Sequence, residues 1–72
     1  MDKYEEADRE HRFSVGQRVS LSATRFEKLP LAGTFEIMAL LPAKDGERQY
    51  RVKHDREAFE RMVGEGRLTP AT

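Results

Sequence analysis

The sequence predicts a small all-β domain of five strands, and three observations carry that expectation. The first is the alternation of Thr34 to Leu41, which sets Phe35, Ile37, Ala39 and Leu41 on one face of a strand and Thr34, Glu36, Met38 and Leu40 on the other. The second is the Asp45-Gly46 pair between two strand-like runs, because glycine takes the positive φ that a two-residue hairpin turn needs. The third is size. A chain of 72 residues has room for one core, since a domain this short buries only about 60% of the surface its unfolded form exposes. We expect one domain over residues 13–69, a flexible charged tail at 1–12 and a short tail at 70–72.

Taken in order, residues 1–12 hold Tyr4 and Ala7 as their apolar members after Met1, too few to bury, which predicts a flexible tail or a solvated helical turn. From Phe13 the pattern changes: Val15, Val19 and Leu21 are interleaved with Gly16, Arg18 and Ser20, giving a first strand at 15–21. Residues 22–32 contain Pro30 and run into Gly33, so they read as a long excursion that Phe26, Leu29 and Leu31 tuck onto the core. The second strand, 34–41, is expected to stop at Pro42. A return strand at 48–54 packs Tyr50 and Val52 and turns Gln49, Arg51 and Lys53 to solvent.

Residues 55–63 admit two readings. Asp55 could cap a helix whose stripe of Phe59, Met62 and Val63 ends at Gly64, making the fold α+β, or a turn could precede a short strand. Gly64-Glu65-Gly66 then reads as a tight turn and Arg67-Leu68-Thr69 as a closing strand before Pro70.

Leu41-Pro42, Gly46-Glu47, Gln49-Tyr50-Arg51-Val52-Lys53, Glu60-Arg61 with Val63, and Glu65 with Leu68 resemble a group of small, uncharacterised bacterial proteins with a Src homology 3-like barrel. The likeness covers roughly residues 13–68. It implies a five-stranded barrel of that kind, and a strand at 59–63, where similar sequences read Glu-Arg-Val-Val, since β-branched pairs favour strands. It implies no catalytic residue, and a shared fold fixes no activity.

Composition narrows function by exclusion. There is no cysteine, hence no disulfide framework, thiolate metal site or thiol nucleophile. Thirteen bases balance thirteen acids, which lacks the positive excess of a nucleic-acid binder acting through bulk charge. The local distribution is mildly uneven: five acids against three bases in residues 1–12, and seven bases against six acids in residues 44–67. The acidic start has no apolar stretch of the secretory kind and no run approaches the roughly 18 residues of a membrane span. The expectation is a cytoplasmic protein with no membrane association.

His11, in the expected tail, and His54, beside Asp55, share no ligand spacing and read as solvated or capping residues, so neither a metal nor a cofactor is expected. Ser14, Ser20 and Ser22 lack a nucleophile elbow, Gly64-x-Gly66 lacks the context of a phosphate loop, and Glu36, Glu57 and Glu60 read as surface charge. We therefore expect no enzyme. Two candidate sites remain. Arg48, Arg51, Lys53, Arg56 and Arg61 could form a basic binding face, although Glu47, Asp55, Glu57, Glu60 and Glu65 are interspersed with them as possible ion-pair partners. Met38 and Leu40, opposite Phe35 and Ile37, could form an apolar patch unless the 22–32 excursion or the tail covers them. The function expected is a non-catalytic interaction module binding a protein segment or assembly partner, as a monomer or weak homodimer. The alternative is a nucleic-acid-associated module using the basic strand 48–53.

Overall fold

The computed structural model describes residues 11–24, 27–30 and 33–71. It is all-β: β1 (Arg18–Leu21), β2 (Phe35–Lys44), β3 (Glu47–His54), β4 (Glu60–Gly64) and β5 (Leu68–Pro70), with a 3₁₀ turn at Glu65–Arg67. The strands form one antiparallel sheet in the order β4-β3-β2-β1-β5. Among the described residues no ladder joins β4 to β5, so the sheet is not closed. No helix among them is long and apolar enough to cross a membrane.

The core sits on one side of this sheet. Val19 from β1, Phe35 and Ile37 from β2, Tyr50 and Val52 from β3, Val63 from β4 and Leu68 from β5 are buried together with Phe13, and Leu21, Leu29 and Leu40 pack against them. Leu29 thus does anchor the excursion, whereas Phe26 and Leu31 lie outside the described residues.

The β2–β3 hairpin closes as its sequence requires. Lys44 pairs with Glu47, and the two residues between them, Asp45 and Gly46, have φ of 54° and 81°. Two positive φ values in a two-residue loop match the right-handed twist of the flanking strands, and Asp and Gly are the residues that tolerate them.

Five expectations are corrected, the first of them the α+β alternative. The helix at 55–63 is absent: Asp55 and Arg56 form a turn, and Glu60–Gly64 pairs with β3, seating Val63 opposite Tyr50. The stripe that a helix would have buried is instead exposed at Phe59 (54%) and Met62 (63%). The first strand starts at Arg18 rather than 15, because the Gln17 N–H donates to Ser14 O at 3.0 Å and Gly16 turns the chain at φ 91°. Pro42 does not stop β2. It lies where the ladder slips between Leu41 and Lys44, so that Pro42 and Ala43 together oppose Arg48, and a bulge is where a missing N–H costs no pairing. A second slip between Ile37 and Ala39 makes Met38 the extra residue and reverses the alternation after it. Leu40 therefore joins Phe35 and Ile37 on the core side, and Leu41 turns away. Finally, Arg67 belongs to the 3₁₀ turn, and the closing strand begins at Leu68.

Of the expected tail, residues 1–10 lie outside the described residues, but His11 and Arg12 are held on the domain. His11 is buried rather than solvated. Its Nε2 lies 2.9 Å from Leu41 O and 3.1 Å from Gln49 O, so a single N–H serves two strand carbonyls, and its ring meets Tyr50 edge-on at 4.8 Å. Arg12 N–H and Phe13 N–H continue the attachment one residue at a time, to Glu65 Oε2 at 2.9 Å and Tyr50 Oη at 3.2 Å. The sequence signal was weak here because no apolar periodicity marks a segment held by polar contacts.

Candidate interaction face

Residues paired across an antiparallel ladder share a face, and this rule sorts the five bases singled out in the sequence. Along β3, Arg48, Tyr50, Val52 and His54 point to the core side, and Gln49, Arg51 and Lys53 to the outer side. Arg61 pairs with Val52 and so stands on the core side of β4. The structure brings Arg51 and Lys53 together on the outer face, with Arg56 exposed in the turn beyond, and sends Arg48 and Arg61 elsewhere.

Arg61 is committed to an internal ion cluster. Its Nη2 donates to Glu57 Oε2 at 2.6 Å and its Nε to Glu57 Oε1 at 3.0 Å, while Nη1 lies 3.4 Å from Glu27 Oε2. Arg67 also binds Glu27 and donates from Nε and Nη2 to Ser22 O at 3.0 and 2.8 Å. Burial opposes ionisation of Glu27, but the Thr24 N–H and the guanidinium groups of Arg67 and Arg61 outweigh it and hold its carboxyl below the usual range. The hydrogen bonds from Arg61 likewise lower Glu57, and Glu57 in turn raises Arg61. These charges tie the excursion to β4 and the 3₁₀ turn. They look like a surface charge pattern in the sequence because Glu27 is 34 residues from Arg61 and 40 from Arg67.

Arg48 belongs to a second polar cluster, around Glu65. Tyr50 Oη donates to Glu65 Oε2, which also accepts the Arg12 N–H. Burial pushes the Glu65 carboxyl up, but the Tyr50 hydroxyl, the Arg12 N–H and the charges of Arg48 and Arg12 more than offset it, leaving Glu65 lowered. For Tyr50, burial and the bond to Glu65 both act upward and raise its hydroxyl to about 12. A buried carboxylate with these donors is stable as the anion and joins the segment 11–13, β3 and the 3₁₀ turn. The sequence offers Glu65 as a possible ion-pair partner of the bases but gives no sign of its burial, because it sits between two glycines and reads as turn. Those glycines leave room for Glu47, whose carboxylate accepts the Gly66 N–H at 2.8 Å and occupies the place a Cβ on Gly64 would take.

The outer face of β2, β3 and β4 is read from the same registers. Glu36, Lys53 and Glu60 form one cross-strand row, Ala39, Arg51 and Met62 the next, and Leu41, Gln49 and Gly64 a third. The bulge residue Met38 adjoins the middle row and is 37% exposed. Arg51 Nε lies 3.5 Å from Glu60 Oε1. The apolar partner of Met38 on this face is thus Met62, from β4, and not Leu40, which packs on the core. Both methionines were visible in the sequence, but their placement on one face, with Arg51 of β3 between them, depends on one bulge and on the strand reading of 60–64.

Phe59, in the turn before β4, is exposed but has the Arg61 guanidinium over its ring at 5.1 Å. On the other side of the sheet a cleft lies between β1 and the excursion, lined by Ser20, Leu21, Glu27, Leu29, Pro30 and Phe35 among others. His54 is buried, with Nδ1 accepting the Arg56 N–H at 3.0 Å in a capping role, and its ring stands edge-on to Phe35 at 5.0 Å. Arg18 ties the neighbouring corner by donating to Thr34 Oγ1, Thr34 O and Asp55 Oδ2 at 2.9, 3.1 and 3.1 Å. Among the described residues no group of three or more histidines and carboxylates could hold a metal ion. Compared with family models, curated proteins and solved structures, the chain finds no significant match in any of the three.

Proposed function

We infer that this protein is a non-catalytic interaction module of the Src homology 3-like kind that binds a protein segment on the outer face of β2, β3 and β4. The strand order β4-β3-β2-β1-β5, the long excursion between β1 and β2, the tight β2–β3 hairpin and the 3₁₀ turn before β5 support the barrel reading. The observation that carries the functional reading is the pair of exposed methionines, Met38 and Met62, flanking Arg51 on the outer face. Methionine is flexible and polarisable, so it adapts to the side chains of a partner, and an exposed apolar group beside an arginine is the mixture found at the centre of protein interfaces.

The nucleic-acid alternative is weaker on the same geometry. Of the five bases expected to make a phosphate-binding face, Arg61 is neutralised by Glu57 and Glu27, Arg48 lies on the core side, and Arg51 is paired with Glu60. The exposed ring nearest to them, Phe59, already carries a cation on its face.

Selection of a random peptide library on the immobilised domain tests this. Enriched peptides should lose binding to the Met62→Glu variant and keep it with Thr69→Glu, a change on the exposed part of β5. Peptides indifferent to Met62→Glu, and seated instead in the cleft beside Leu21 and Leu29, would move the function away from this face.

A further inference from the structure

The overall neutrality of the chain divides unevenly. Residues 1–10 hold five acids against two bases, net −3, and residues 11–72 hold eleven bases against eight acids, net +3. Within the described residues most of the acids are engaged internally. Arg18 reaches Glu36 at 3.7 Å and Asp55 at 3.1 Å. Arg61 and Arg67 hold Glu27, and Arg61 holds Glu57. Glu65 takes Tyr50 Oη and the Arg12 N–H, and Glu47 the Gly66 N–H.

The bases of the outer face are less committed. Among the described residues, Arg51 makes one ion pair, through Nε to Glu60, with its side chain 48% exposed, and Lys53 and Arg56 form none. Glu36 and Glu60 stand on this face either side of Lys53, but Arg18 reaches Glu36 and Asp55 and Arg51 reaches Glu60, so Arg18, Arg51, Lys53 and Arg56 exceed these three acids by one base.

Resting on the reading that this face binds a protein segment, we propose that the segment is acidic and apolar in alternation. A carboxylate of the partner docks on the terminal nitrogens of Arg51, Lys53 and Arg56 attract its neighbours, and apolar side chains lie over Met38 and Met62. Charge complementarity carries this choice: with Glu36 and Asp55 taken by Arg18, the bases Arg51, Lys53 and Arg56 have Glu60 as their remaining acid on the face, so a basic segment would meet a cationic excess, and a purely apolar one would desolvate Lys53 without an ion-pair partner. Arg51 is then the specificity-determining residue, and Glu60 is its internal competitor.

The test is an amide NMR titration of the whole ¹⁵N-labelled chain with three probes: a short peptide alternating Asp or Glu with Leu and Phe, the same peptide with Asn and Gln for the acids, and a short mixed-sequence single-stranded DNA. The acidic peptide should shift the amides of Ala39, Arg51, Lys53 and Met62, and its affinity should fall roughly tenfold in Arg51→Glu, the effect of one reversed exposed pair. Glu60→Gln should bind about two- to threefold more tightly, because it releases Arg51 from its own carboxylate. Lys53→Gln, which breaks no ion pair, should weaken binding in the same direction and serves if Arg51→Glu loses its dispersed spectrum.

Equal binding of the uncharged peptide at these amides, or indifference to both Arg51→Glu and Glu60→Gln, overturns the acidic assignment and leaves the face itself standing. Shifts at these amides from the DNA alone overturn the protein-segment reading beneath it. No shift there from any probe overturns both.

Discussion

Replacing Tyr50 by Phe isolates the polar cluster that joins the segment 11–13 to the sheet. The ring stays, so neither cavity nor lost apolar area enters, and the edge-on contacts with His11 at 4.8 Å and Phe13 at 5.8 Å are kept. What goes is one hydroxyl with two partners: it donates to Glu65 and accepts the Phe13 N–H. A hydrogen bond to a charged group contributes about 1.5–3 kcal/mol, and a buried donor left without a partner costs about 1–3 kcal/mol. Allowing for relaxation of the segment, the variant should lose about 3 kcal/mol, which for a domain of this size lowers the thermal midpoint by roughly 10–20 °C. Urea and thermal unfolding followed by far-ultraviolet circular dichroism measure this directly. A double-mutant cycle with Glu65→Gln should give a coupling above about 1 kcal/mol, since the two groups touch. A loss below about 0.5 kcal/mol, or strict additivity of the two changes, would refute the claim that this cluster holds the N-terminal segment in place.

The same cluster sets the pH limits. The Tyr50 hydroxyl, at about 12 in the fold against about 10 when unfolded, stabilises fully below pH 10 and loses that contribution, ~3 kcal/mol, as pH rises from 10 to 12; Tyr50→Phe should flatten this alkaline limb. Glu65 and Glu27 are lowered, so their stabilisation is complete above the unfolded carboxylate range and is lost as pH falls below about 4 through their folded values, an acid limb that Glu65→Gln should reduce. Gly33→Ala should destabilise by about 1–3 kcal/mol, since φ there is 92° and a Cβ would lie 2.9 Å from His54 Nε2; a neutral result would mean that the His54 corner is loosely packed. Arg61→Ala should speed hydrogen exchange of the Glu27 amide and of its neighbours in the excursion more than that of β3, whereas uniform acceleration would show that Arg61 supports the whole sheet rather than one loop.

The legible parts of the fold were those written in short-range pattern. The Asp45-Gly46 hairpin follows from two residues whose φ is positive, and the buried Tyr50 and Val52 follow from alternation along an undisturbed strand. Alternation failed where the backbone takes an extra residue. Nothing in Ile37-Met38-Ala39 announces a bulge, yet that bulge moves Leu40 into the core side and leaves Met38 outside, so the Met38–Leu40 patch becomes a Met38–Met62 strip. The placement of the five candidate bases was hard to read for a related reason. Local spacing shows that Arg48 and Arg51 are close in the chain, but their faces differ by parity, and beside its near neighbour Glu57 the ion pairing of Arg61 reaches Glu27, 34 residues away in the excursion. His11 was the hardest residue to read, because a histidine held by two carbonyls and a ring edge leaves no periodic trace.

Selective ¹³C labelling of the methionine methyls places a reporter on each side of Arg51, at Met38 and Met62. On addition of a peptide enriched against the domain, both methyl signals should shift together along one saturation curve. Methyl signals that stay fixed while the amides of Leu21, Leu29 and Phe35 move would contradict it and put the interaction in the cleft beneath the excursion.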